Sequence, residues 1–140
     1  MALYTLIPAN TGMFADVDPL ARICFGLIFD RYCLSLKSNE ARPGAYSYAV
    51  EVDLGEELDR ASARGVVVTL ARAYCVYSQP DLARDIGCSE RTARRCVDTL
   101  RKAQLITYDR DGQNGAARYT IPSRVYRYLR PTHPLRQEAR

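Results

Sequence analysis

The chain has 140 residues, which fits one domain or a small domain with an appendage, and its composition is that of an ordinary globular protein: 47% hydrophobic, 26% charged, net charge +4. A single histidine, His133, excludes a histidine-based catalytic triad and a multi-histidine metal site. The five cysteines (Cys24, Cys33, Cys75, Cys88, Cys96) include no C-x-x-C pair and are odd in number, which argues against a full disulfide framework and suits reduced thiols in a cytoplasmic protein.

Leu3 to Ile7 reads as a short strand stopped by Pro8, and Asn10-Thr11-Gly12 as loop. Asp18 followed by Pro19 predicts a helix start, with Asp as N-cap and Pro in the first helical position. That helix is expected to run to about Leu36, with Leu20, Ile23, Cys24, Leu27, Ile28 and Leu34 along one stripe, widened by Phe25, Phe29 and Tyr32. So apolar a helix belongs in a core or against a partner subunit. Arg22, Asp30 and Arg31 interrupt it, so it makes a poor membrane span, and with Arg22 as the first basic residue no signal peptide is expected.

Lys37 to Gly44 reads as a polar loop. Tyr46, Tyr48, Val50 and Val52 alternate with small or polar residues, as in a strand. Leu54 to Leu58 suits a short helical turn. Ser62 reads as the cap of a helix to about Tyr74, with Val66, Val67, Leu70, Ala73 and Tyr74 on its face.

From Ser78 to Ile106 the pattern is tighter. Ser78 can cap a short helix whose third residue is Asp81, with Pro80 in the first turn and Leu82, Ala83 and Ile86 facing inward. Gly87 ends that helix, because glycine tolerates the left-handed conformation. Ser89 caps a second helix, whose inward positions are Ala93, Cys96, Val97 and Leu100 and whose outward positions are Arg91, Arg94, Arg95, Asp98, Arg101 and Lys102. Leu105 to Tyr108 reads as a strand, Asp109 to Gly115 as a turn, and Ala117 to Ile121 as the returning strand. Ser123 can cap a last helix, Arg124 to Leu129, before an Arg-rich tail with Pro131 and Pro134.

The charge is uneven. Residues 1–75 carry seven Lys+Arg against nine Asp+Glu, a net of −2, whereas residues 76–140 carry 13 against seven, a net of +6, and twelve of those cations are arginines. Arginine presents a planar fork of donors suited to phosphates and guanine edges. A solvated basic face is the plainer reading of charge alone.

The order of short helix, Gly turn, capped basic helix and β-hairpin resembles the winged helix-turn-helix family over residues 62–121. The residues that carry the resemblance are Leu82-Ala83, Gly87 four positions later, Ser89, Arg91-Thr92, and the exit from Leu100 to Ile106. Two positions depart from the family: Gln104 stands where glycine is common, and Cys88 where a β-branched residue is common. The helices near the N-terminus resemble phage- and plasmid-type replication initiators and organisers in style rather than in motif.

The resemblance implies a mainly α fold with a small β wing (α+β), divided into residues 1–55 as an N-terminal strand-helix extension, 56–122 as the winged helix-turn-helix, and 123–140 as a short helix and basic tail. It also implies sequence-specific binding of double-stranded DNA in transcription regulation or replication initiation, with a homodimer built through the apolar first helix. The second helix would enter the major groove with Ser89, Arg91, Thr92, Arg94 and Arg95 as its contact set. Ser78 and Gln79 would hold a phosphate from the preceding helix, and Arg110 and Arg118 would reach DNA from the wing. Set against this, Arg94 stands at helical spacing from both Glu90 and Asp98, where an ion pair would occupy it.

An alternative is a protein-binding winged helix, a phage-type inhibitor of host machinery of the anti-CRISPR kind, with Tyr32, Tyr46 and Tyr48 as interface residues. Core packing explains those tyrosines equally simply. Cys24 and Cys96 read as buried small hydrophobes, while Cys88 lies in the turn, open to redox chemistry. Asp109 and Asp111 more simply shape the turn than bind a metal. No nucleophile motif, phosphate loop or outstanding carboxylate pair is present, so neither an enzyme nor a cofactor is expected.

Overall fold

In the computed structural model, which describes residues 7–53, 67–110 and 117–129, Asp18 and Pro19 start the first helix as their chemistry demands. The Ala21 amide donates to Asp18 Oδ1 at 3.0 Å, and Pro19, which has no amide to satisfy, opens the helix. This helix, α1, spans Pro19–Ala41, five residues beyond its expected end, so that Lys37 to Ala41 are helical rather than loop. Gly44, at φ +84°, then turns the chain. Asn39 fastens α1 to the next strand, accepting from the Tyr46 amide at 2.6 Å and donating to the Tyr46 carbonyl at 3.1 Å.

Strands β1 (Ser47–Asp53) and β2 (Val67–Ala73) pair antiparallel in the register Tyr48 opposite Arg72 and Val52 opposite Val68. The expected helix to Tyr74 is therefore corrected: 67–73 is strand. The run Val66-Val67-Val68-Thr69 is β-branched, which favours a pleated strand, and β1 supplies the partner. The Leu54–Leu58 turn, the Ser62 cap and the expected boundary at residue 55 fall outside the described residues, as do most of the Leu3–Ile7 strand and the Pro-rich tail. Ile7 itself is half-exposed and not in a strand.

Next come β3 (Cys75–Val76), α2 (Gln79–Ile86), α3 (Glu90–Lys102), β4 (Thr107–Arg110), β5 (Ala117–Thr120) and α4 (Ser123–Leu129). The second sheet is antiparallel in the order β3-β5-β4, with Tyr108 opposite Tyr119 and Asp109 opposite Arg118. Leu105 and Ile106 precede β4 as buried residues instead of opening the strand, and α4 starts at Ser123 itself. The fold is thus α+β, with four α-helices and two small antiparallel sheets among the described residues.

One cluster of buried side chains joins these elements. Phe25 and Ile28 of α1, Leu82 of α2, Leu100 of α3, Tyr119 of β5 and Val125 of α4 are all fully enclosed within it. Of the stripe expected on α1, Leu20, Cys24, Leu27 and Ile28 lie in this core or pack against it, whereas Leu34 is 52% exposed and Ile23 is half-buried outside the cluster. The chain's own elements thus cover most of the apolar side of α1. Truncating an enclosed aromatic such as Phe25 carries a cost of about 3–5 kcal/mol, so this packing outweighs any single cap or ion pair in holding the fold. Among the described residues, no helix is long and apolar enough to cross a membrane.

Candidate nucleic-acid interface

The two capped helices meet at a turn that the sequence specifies residue by residue. Ser78 Oγ accepts from the Asp81 amide at 3.2 Å to start α2. Gly87 ends it at φ +89°, and the Gly87 and Cys88 amides both donate to the Ala83 carbonyl, at 2.8 and 3.0 Å. Ser89 then starts α3, accepting from the Thr92 amide at 3.2 Å. Arg31 of α1 braces the assembly: it donates to the Val76 carbonyl at 3.2 Å and lies 4.0 Å from the Tyr77 ring centroid. The Tyr77 hydroxyl donates to Asp85 of α2, and burial together with that bond pushes the Tyr77 phenol well above its usual range.

The inward face of α3 is Ala93, Cys96, Val97 and Leu100, all buried, as the spacing predicts. Burial likewise pushes the Cys96 thiol up. Its outward face exposes Arg91, Arg94, Arg95, Asp98, Arg101 and Lys102. The expected occupation of Arg94 by Asp98 gives way to another pairing, because Asp98 lies 3.7 Å from Arg101, whose guanidinium also sits over the Tyr108 ring at 5.4 Å. Arg91, Arg94 and Arg95 form no ion pair among the described residues. Three cations therefore stand on the first two turns of a capped helix, where the unpaired amides and helix dipole add to their pull on an anion.

Of the other predicted contact residues, Ser78 and Ser89 are exposed and Thr92 is half-buried. Gln79 is a correction: its side chain is only 8% exposed and turned inward, with Nε2 3.4 Å from the Tyr119 hydroxyl, so it does not face a phosphate. Its position at the start of α2 buries it under β5. Arg110 ends β4 opposite Ala117, and the turn beyond it lies outside the described residues.

Arg118 is placed in a way the sequence does not reveal. Its Nε donates to Asp109 Oδ1 at 3.0 Å across the β4–β5 pair, and its guanidinium lies 5.3 Å from the Tyr48 ring and 5.4 Å from the Tyr74 ring. Tyr46 and Tyr48 both pack on Tyr74, with ring centroids 6.1 and 5.9 Å away, and Tyr32 is buried against Tyr126. Internal packing thus employs the three tyrosines that suggested a protein partner. Arg72 is the residue the sequence reading missed. It is exposed on β2 opposite Tyr48, and the mistaken helix concealed that relationship.

No family model matches the sequence, and no curated protein matches it. Two solved structures do match in three dimensions: one described as a Rep-DNA complex, with a TM-score of 0.54 at 16% identity, and one described as the N-terminal domain of a DNA-binding protein, with a TM-score of 0.52 at 17% identity. Each alignment covers 86% of this chain and 75% of the other. The likeness is one of fold. Its coverage reaches well beyond the helix pair.

Proposed function

We propose that the protein binds double-stranded DNA as a winged helix-turn-helix, with α3 as the helix that enters the major groove and the β4–β5 pair as the wing. The observation that carries this reading is the exposed trio Arg91, Arg94 and Arg95 at the N-terminal end of a helix whose opposite face is locked into the core. A helix so anchored presents its side chains rigidly, and an arginine pairing bidentately with guanine is worth about 1–3 kcal/mol of discrimination. Likeness of fold to a structure described as a Rep-DNA complex supports the DNA-binding reading, for transcription regulation and replication initiation alike.

The experiment is an unbiased selection of duplex DNA with the purified protein, followed by affinity measured over a range of salt. Enrichment of a defined site, with affinity falling steeply as salt rises, is the expected result. An unenriched pool and no retention of any duplex at low salt would overturn the reading. The mass of the protein in solution, set beside the symmetry of the selected site, decides whether one copy or two occupy it.

A further inference from the structure

The tyrosines and Arg118 do more than pack. Between the β1–β2 pair and the β4–β5 pair lies a cleft of about 270 Å³, lined by Tyr48, Arg72, Thr107, Tyr108, Asp109 and Arg118, with Thr120 at its base. Thr120 Oγ1 donates to the Ala73 carbonyl at 3.4 Å, so the two sheets are joined at that base. The volume lies just below the usual range for small-ligand pockets, enough for a compact group and not for a large cofactor.

The charge of the lining is informative. It holds two guanidiniums and one carboxylate, a net of +1. Asp109 takes Arg118 at 3.0 Å, and the Tyr48 and Tyr74 rings hold the guanidinium in place, so Arg118 is a fixed cation. Arg72 is exposed and forms no ion pair among the described residues. A site with one positive charge in excess, a planar donor fork and several hydroxyls matches the singly charged phosphate of an ester. Tyr108 connects the cleft to the C-terminal end of α3, since it both lines the cleft and lies under the Arg101 guanidinium.

We propose that this cleft is a phosphate-ester site in which Arg72 is the principal ligand and Arg118 the fixed second cation, filled by a backbone phosphate of the same duplex that α3 engages. The occupancy by duplex rests on the DNA-binding reading; the phosphate-ester chemistry does not. A free nucleotide would offer a phosphate monoester, with the same acceptor oxygens and a second ionisation at about pH 6, and the test separates the two sources.

Three measurements use the whole chain, as wild type and as Arg72→Gln and Arg72→Lys. The first is affinity, over a range of salt, for the selected duplex in a short form covering the α3 site and in a form extended by one helical turn at each end. The second is amide chemical-shift titration with inorganic phosphate and with AMP, read at Tyr48, Arg72 and Tyr108. The third is a thermal melt, which the exposed substitution should leave unchanged. Arg72→Gln is expected to weaken the extended duplex by about tenfold and to lower its salt slope by about 0.9, leaving the short duplex unaffected, while Arg72→Lys restores the slope. Saturable shifts with AMP that Arg72→Gln abolishes, with no change in the duplex slope, would assign the site to a free nucleotide and still support its chemistry. If the wild type binds no duplex, the α3 reading fails by itself and the phosphate and AMP titrations decide the cleft. An unchanged duplex slope together with no saturable shift overturns the proposal.

Discussion

Ser89 holds Thr92 twice: the Thr92 amide donates to Ser89 Oγ at 3.2 Å, and the Ser89 hydroxyl donates to Thr92 Oγ1 at 3.0 Å. The first bond satisfies an orphan amide at the start of α3, and the second fixes the hydroxyl's rotor so that the first persists. Ser89→Ala removes both and is expected to cost about 1 kcal/mol of folding stability. Thr92→Val keeps the cap bond and should cost less. Urea denaturation of both variants checks the order, and equal midpoints for Ser89→Ala and wild type would show that the cap contributes nothing.

Gln104 sits at φ +60°, in the left-handed region that favours glycine. The reason is the end of α3: the Gln104 amide donates to the Arg101 carbonyl at 2.9 Å, and the Leu105 amide donates to the Leu100 carbonyl at 3.0 Å. The two bonds form a Schellman closure, which turns buried Leu105 back onto buried Leu100. Arg124 of α4 also donates to the Gln104 carbonyl at 2.5 Å, which a glycine would leave intact because the acceptor is backbone. Gln104→Gly should therefore stabilise the fold by about 0.5–1 kcal/mol, opposite in sign to glycine placed inside a helix. The converse change, Gly87→Ala, meets no neighbour within 4 Å but forces a side chain onto φ +89°, and should destabilise by a similar amount. Thermal melts of the two variants should shift in opposite directions; a fall in both would refute the argument from backbone conformation.

What was legible in the sequence was what short-range chemistry determines. Asp18, Ser78 and Ser89 each read as caps and each accepts the amide three residues on. Gly87 marked one left-handed turn, and the inward face of α3 followed from its spacing, whereas Gln104 read as a departure from the expected glycine and yet takes the left-handed conformation. The failures were nonlocal. Val67 to Ala73 satisfied a helical spacing, and only pairing with β1, across a connection of more than ten residues, decides for strand; the β-branched run was the available signal. Gln79 looked like a surface donor because nothing nearby in sequence announces Tyr119, forty residues later, above it. The cleft beside Arg118 needed β1, β2, β4 and β5 together, so misreading one strand was enough to conceal it.

Alkaline pH should destabilise the fold through buried groups on α1 and β3. Burial pushes the Cys33 and Cys75 thiols from 9.0 up to about 12, and burial, with lesser help from neighbouring thiols and Tyr126, pushes the Tyr32 phenol from 10.0 to about 12. In each case the folded state keeps the proton that the unfolded chain releases sooner. The stabilisation is therefore complete below about pH 9, where the unfolded thiols are still protonated, and is lost as pH rises toward 12. Urea midpoints should fall across that window, and Cys33→Ala with Cys75→Ala should flatten the fall at the expense of overall stability. An identical slope in the double variant would place the titration elsewhere. In the native state at pH 8, a thiol reagent should label half-exposed Cys88 quickly and the four buried cysteines slowly.

The arginines of α3 should divide by their present engagements. Arg91, Arg94 and Arg95 form no ion pair among the described residues, so a DNA contact costs them nothing already made. Arg101 is held by Asp98 and by the Tyr108 ring, and must trade those contacts for any other. Arg95→Ala is expected to weaken duplex binding by about 1–3 kcal/mol if it reads a base, with the loss largest on the selected site and small on unrelated DNA. If Arg95 instead meets a phosphate, the loss is uniform across sequences and the salt slope falls by about one. Arg101→Ala should weaken binding least of the four. Competition binding with selected and scrambled duplexes separates these outcomes. Unchanged affinity in a triple Arg91→Ala, Arg94→Ala and Arg95→Ala variant that still melts normally would remove α3 from the interface.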